Sequence, residues 1–162
     1  MTIDVAGITD APIISCGEST TESVTFEWAA VSGAVSYEIT IDNGTPQTVT
    51  ADVLSFTVAG LAPNQSVNIS IVAIGGELCG ISEASNATCV SEDCGEVNLV
   101  VDGLSDVYCI DDEPVILSAT PAGGIFSGNG VIGTIFSPAA AGNGTHVITY
   151  AFAVANCVYS EE

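Results

Sequence analysis

The chain has 162 residues and no Lys or Arg, against 20 Asp plus Glu and one His, for a formal charge of -20. A chain of this length ordinarily carries about 20 basic residues, so phosphates, nucleic acids and anionic membrane surfaces, all held mainly through Lys and Arg, are excluded as principal partners. Hydrophobic residues make up 48% of the whole, rich in Val, Ile and Ala, and Thr, Ser, Gly and Asn accompany them, which is the vocabulary of strands and turns.

The opening MTIDVAGITD has neither the basic start nor the apolar core of a signal peptide, and no stretch of the chain reads as a membrane span. Export would therefore make this chain a piece of a longer precursor. Residues 1–11 read as a leading strand. In VTFEW, Val24, Phe26 and Trp28 face one way while Thr25 and Glu27 face the other, and SYEITID repeats the alternation with Tyr37, Ile39 and Ile41 inward. LSFTV (Leu54, Phe56, Val58) and VNISIVAI (Val67, Ile69, Ile71, Ala73) follow, with Asn43-Gly44 predicting a tight turn and Pro63 closing another connection. No segment reads as an amphipathic helix. The acidic CVSEDCGE, residues 89–96, breaks the strand rhythm and marks a boundary, with a linker at 91–96. A second series then runs VNLVV, DVYCI, PVILSA, a glycine-rich segment and THVITYAFAV. Short strands broken by glycine and proline turns predict an all-β chain of two consecutive antiparallel β-sandwiches.

The glycine segment contains GNGVIG, residues 128–133, a literal G-x-G-x-x-G. A dinucleotide loop needs a helix after the glycines and an acid some 20 residues on. Here Val131 to Phe136 is strand-like, and the next acid after Glu113 is Glu161. The glycines instead predict positive φ at tight turns: Gly123, Gly124, Gly128, Gly130 and Gly133. His146 has no neighbouring nucleophile to activate, so no catalytic residue is assigned.

Two resemblances refine this reading. Residues 12–90 resemble a fibronectin type III domain, through Trp28, Tyr37 after VSGAVS, GLAP (Gly60 to Pro63) before VNISIVA, and CGISEAS. Val67 stands where that family usually has a tyrosine, so the usual hydroxyl-to-backbone corner is missing. Residues 97–162 resemble the immunoglobulin-like repeats of giant surface adhesins, gliding-motility proteins and other type IX secretion cargo in Bacteroidota, through CIDDEPVILSATPAGGIFSGNGVIGTIFSPAAAGNGTHVITYAF and Cys157. The resemblance implies an extracellular, cell-surface parent. It also implies a strand after the last cysteine, whereas VYSEE stops at Glu162. Joined across the ends, YSEE-MTIDVAG reads as one continuous strand, so the expected partners are neighbouring copies placed end to end, residues 2–7 of one against 145–162 of the next, in a covalent array or by donor-strand exchange.

The six cysteines favour disulfides in an oxidising compartment over zinc. Cys109 and Cys157 flank the second core and are expected to pair. Cys16, Cys79, Cys89 and Cys94 allow three pairings; Cys16 with Cys89 is favoured, leaving Cys79 and Cys94 with partners unassigned. Asp106, Asp111, Asp112 and Glu113 in one loop, with Glu92, Asp93 and Glu96 in the linker, offer the oxygens that calcium takes, although no EF-hand or nonapeptide repeat is present and a solvated acidic face explains them as well. Calcium is thus the one cofactor considered, and it would stiffen the hinge. The functional expectation is a non-enzymatic structural or adhesive repeat unit, acting as spacer or contact module, with surface glycans or other cells as possible targets. The alternatives are accessory carbohydrate-binding or spacer modules of a secreted hydrolase, and a self-assembling pilus-like subunit.

Overall fold

A computed structural model of the protein describes residues 10–76 and 80–162. The chain divides into two compact units, the first ending at Cys94 and the second running Gly95–Glu162. The division falls inside the acidic stretch that breaks the strand rhythm, where no apolar run is available to continue either core. The expected leading strand lies mostly outside the described residues, as does Cys79.

In the first unit the strands are β1 (Ile14–Thr20), β2 (Ser23–Trp28), β3 (Ala34–Ile41), β4 (Gln47–Thr50), β5 (Ser55–Ala59), β6 (Ser66–Gly75) and β7 (Ser85–Val90). They form two sheets, β1-β2-β5 and β4-β3-β6-β7, with every pairing antiparallel. Period-two alternation sends Val24, Phe26 and Trp28 from one sheet, and Tyr37, Ile39, Val67, Ile69, Ile71 and Ala73 from the other, into a single core. The result is the sandwich that the fibronectin-like pattern implies. Leu54 departs from the expected inward row and is 36% exposed. It precedes β5, where its carbonyl accepts the Trp28 amide at 3.0 Å and its side chain is free of the pleat. The tight turn also sits one residue earlier than Asn-Gly suggests. Asp42 and Asn43 take the positive φ values, 46° and 59°, and the Gly44 amide closes onto the Ile41 carbonyl at 2.7 Å.

Val67 is buried, so no hydroxyl ties that strand to the turn before it. Ser91 does so instead. Its buried hydroxyl donates to the Ala62 carbonyl at 2.7 Å and accepts the Gln65 amide at 2.9 Å, while its own amide donates to the Gln65 carbonyl at 3.0 Å. A residue that the sequence places in the linker therefore fastens a turn of the first sandwich.

The second unit contains β8 (Val100–Asp102), β9 (Val115–Ile116), β10 (Ser118–Thr120), β11 (Ile125–Gly128), β12 (Val131–Ile132), β13 (Ile135–Phe136), α1 (Pro138–Ala141), β14 (Ile148–Val154) and β15 (Cys157–Glu161). Its sheets are β10-β8, β12-β13-β9 and β11-β14-β15, again wholly antiparallel. Leu117, Phe126, Phe136, Ala141 and Tyr150 form the buried centre. Tyr150 provides here the corner that the first unit lacks, its hydroxyl donating to the Pro121 carbonyl at 2.6 Å and accepting the Gly124 amide at 2.7 Å.

Two expectations fail in this unit. DVYCI, residues 106–110, forms no strand, because local side-chain bonds hold the backbone in turns. The Tyr108 hydroxyl accepts the Ser105 amide at 2.8 Å, and an Asp112 carboxylate oxygen accepts the Cys109 amide at 2.7 Å. The short helix α1 departs from the expectation of strands and turns alone. Its signal is the Ser-Pro pair: the Ser137 hydroxyl caps the Ala140 amide at 3.3 Å, and Pro138 stands in the first turn, where its missing N–H costs nothing.

Candidate functional site

From Pro114 to Ser160 the chain contains no Asp, Glu, Lys or Arg. Within that interval the register of three short strands sets Ile132 opposite Ile135, and Ile135 opposite Ile116. Directly opposed residues share a face of a sheet. The adjacent row, Val131, Phe136 and Val115, packs into the core, so the isoleucine row must point outward. It does: Ile132 is 80% exposed, Ile135 47% and Ile116 75%. On the outer face of the β11-β14-β15 sheet, Ile125 and Val158 are likewise exposed. An ordinary solvated strand alternates apolar with polar residues; this unit carries branched aliphatics on both faces of its β12-β13-β9 sheet.

A groove of about 720 Å³ opens elsewhere in the same unit. One wall is the loop from Leu104 to Ile110, and the other is the segment from Phe136 through α1 to Ile148, with Glu162 at the rim. Leu104, Val107, Ile110 and Val147 present exposed aliphatic groups there. The polar contributors include Asp106, His146 and Glu162. The imidazole Nε2 lies 2.9 Å from the Gly142 carbonyl, and Nδ1 lies 3.5 Å from the Asn129 amide nitrogen, which itself donates to the Ala141 carbonyl at 2.7 Å. A hydrogen on Nε2 and a lone pair on Nδ1 satisfy both contacts. His146 thus ties the turn after α1 to Asn129, and its two nitrogens are directed at amide groups rather than at a hydroxyl or thiol.

The acidic residues gather only in part. Asp111 and Asp112 lie with Cys109 in an exposed group whose potential ligand atoms are within 4.8 Å of one another. Asp106, Glu113, Glu92, Asp93 and Glu96 stand outside it. Two carboxylates and a thiol fall short of the six to eight oxygens calcium prefers, and one Asp112 oxygen is already engaged by the Cys109 amide.

Cys16 and Cys89 are joined, with Cα atoms 5.8 Å apart, and the bond ties β1 of one sheet to β7 of the other. The expected bond between Cys109 and Cys157 does not form. Cys109 carries a free, exposed thiol, because the strand that would have aimed it at the core is replaced by the Asp112 turn. Cys157, 3% exposed, and the half-buried Cys94 are both disulfide-bonded.

GNGVIG contains β12 and runs into its partner β13, where a phosphate loop would lead into a helix. Gly128, Gly130 and Gly133 adopt φ values of 146°, 80° and 62°, and Gly123 one of 104°. Gly124 is the exception among the five. Its φ is not positive, and it is required instead because a Cβ would overlap the Ala151 carbonyl and the Tyr150 ring.

No protein-family model matches the chain, and no curated protein does. Among solved structures, the fn3 domain of the human collagen alpha-1(XX) chain is similar over 60% of this chain and 98% of its own, at 19% identity and a TM-score of 0.47. A computer-redesigned β-sandwich protein is similar over 53% of this chain and 98% of its own, at 21% identity and a TM-score of 0.46. The fn3 domain of human contactin 1 is similar over 60% and 92%, at 18% identity and a TM-score of 0.42.

Proposed function

We propose that this chain is a non-enzymatic structural and adhesive repeat unit of an extracellular surface adhesin or filament, of the Bacteroidota type IX cargo kind that its second half resembles. The observation carrying the reading is the isoleucine row Ile116, Ile135 and Ile132, solvent-facing on a sheet without charge, in a chain whose net charge is -20. Acidic residues elsewhere keep the molecule soluble and repel indiscriminate neighbours, while this neutral face is where a surface can approach without desolvating a carboxylate. The bond between Cys16 and Cys89 suits an oxidising exterior and closes the first sandwich against extension. The second unit then serves as the contact module and the first as the spacer.

The test has two arms. Antibodies to the protein should label intact source cells without permeabilisation. Beads coated with the protein should adhere to the source cells, and the triple variant Ile116→Thr, Ile132→Thr, Ile135→Thr should reduce that adhesion at least about tenfold, since threonine keeps the strand preference while removing apolar area. Labelling only after lysis would overturn the extracellular assignment, and undiminished adhesion by the triple variant would overturn the role of this face.

A further inference from the structure

The isoleucine row stands on a fixed base, since Val115, Val131 and Phe136 on the other face of its sheet pack into the core. Its two ends differ in charge. Ile132 reaches Ile135 through the uncharged tip Gly133-Thr134. The Ile116 end has two acids close along the chain and ladder: Glu113 is three residues back, and Asp102 stands opposite Ser118 of β10. A basic partner would be drawn to the carboxylates elsewhere on a chain of charge -20 and would gain nothing from a patch without them. A neutral patch instead suits a partner that is itself acidic, because like charges set against each other across an interface are costly. A second copy of this chain is such a partner, and it carries a matching neutral face.

We propose that the row Ile132, Ile135 and Ile116 packs face to face against the same row of a second copy, related to it by a two-fold axis parallel to the strands. The proposal rests on the reading of this face as the contact surface and names its partner, so that adhesion through it is homotypic. The axis passes over Ile135. Ile135 then meets its counterpart, while Ile132 of each copy covers Ile116 of the other, and the contact closes on itself. Directly opposed residues are about 5 Å apart across a ladder, so the row is about 10 Å long, and an isoleucine at each end lets it match its own reversed copy. Turning the second copy about the length of the row would instead bring Glu113 and Asp102 of both copies together. The reversed arrangement holds them at opposite ends, each pair beside the uncharged tip of the other copy. The three exposures amount to about two whole isoleucines per copy, well short of the surface of about 800 Å² per partner in a stable interface. One contact is therefore weak, and copies displayed together hold by number, since linked contacts gain about 10²- to 10⁴-fold in avidity.

Beads coated with the full chain, with no cells present, test the partner. Wild-type beads should clump, and more strongly as sodium chloride rises from about 10 mM to about 1 M, because screening removes the repulsion between copies of one sign. Beads carrying Ile116→Thr, Ile132→Thr and Ile135→Thr together should clump at least about tenfold less, and unchanged melting temperatures will verify that this variant folds. A short bis-maleimide in concentrated solution tests the geometry, with Cys109→Ser as background and baseline. Ile135→Cys should cross-link to itself, and Ile116→Cys to Ile132→Cys, at least about tenfold faster than Ile125→Cys, which is 73% exposed on another sheet. Wild-type beads that stay dispersed at high salt, clumping that salt weakens, or cross-linking at Ile125→Cys as fast as at Ile135→Cys would overturn the proposal. Cell adhesion lost in the triple variant, beside wild-type beads that never clump, would strike the homotypic partner alone and leave the face as a contact for another molecule.

Discussion

Ser91 shows how much can hang on one hydroxyl. It sits just past β7, in a stretch whose acids and cysteines suggest a linker, yet it is 3% exposed and serves both the Ala62 carbonyl and the Gln65 amide. Ser91→Ala would leave both backbone groups without that partner, at a cost of about 1–3 kcal/mol. Urea unfolding should show a lower midpoint with an unchanged slope; a midpoint equal to wild type would mean that water replaces the hydroxyl freely. The cysteines divide as sharply. Cys109→Ser removes an exposed thiol from a turn held by the Asp112 carboxylate, which accepts from the backbone amide and not from the thiol, so stability should stay within about 0.5 kcal/mol. Cys16→Ser opens a bond across 73 residues of chain and should cost on the order of 4 kcal/mol in the loop-entropy account. Calorimetry of the two variants beside wild type reads both effects at once.

Elements with clean alternation were legible in the sequence, and those governed by local side-chain bonds were not. In β2, β3 and β6 every second residue is apolar, and the inward rows Val24-Phe26-Trp28 and Val67-Ile69-Ile71-Ala73 are where the pattern puts them. DVYCI carries the same alternation, but Tyr108 and Asp112 satisfy its amides locally and no strand forms. The same local bonds keep Cys109 from Cys157, since they hold its thiol in an exposed turn while Cys157 is buried at the start of β15. The outward isoleucine row was invisible for a different reason: β12, β13 and β9 are two residues each, too short for periodicity, and only register reveals which side chains align. The GNGVIG glycines were legible as turn-formers, and their individual costs separate by geometry. At Gly130 a Cβ would stand 2.7 Å from the Ala141 Cβ and 2.8 Å from the Ser137 carbonyl, on a backbone at φ 80°. At Gly133 the same atom meets nothing within 4 Å, leaving only the strain of φ 62°. Gly133→Ala should therefore cost about 1 kcal/mol, and Gly130→Ala several times as much because α1 must shift. Equal losses in denaturant titrations would show that the helix yields easily.

For the molecule as a whole, the decisive property is a charge of one sign with no basic partner. Twenty carboxyl groups and no Lys or Arg mean that folding concentrates negative charge that no ion pair relieves, so mobile cations must screen it. Asp52 is the one described carboxyl clearly held below its ordinary range, first by the Thr50 hydroxyl and then by its own backbone amide. A carboxyl lowered in the folded state stabilises above its unfolded value, and that contribution fades as acid carries the pH down through the folded one. Asp52 is at the surface, however, so its loss is small beside the repulsion that acid relieves across the other carboxylates. Salt separates the two, because it screens repulsion without protonating Asp52. Raising sodium chloride from 10 mM to 1 M shortens the screening length from about 30 Å to about 3 Å. Relief of even about 1 kcal/mol per unit raises the midpoint of a small domain by about 4–8 °C. Because the chain comprises two units, each with its own core, calorimetry should resolve two transitions, both moving upward with salt. The second unit, with 8 acids between Gly95 and Glu162 against 12 before them, should move less. Midpoints that stay fixed between 10 mM and 300 mM salt would show that the carboxylates are already far enough apart in the folded chain to ignore one another.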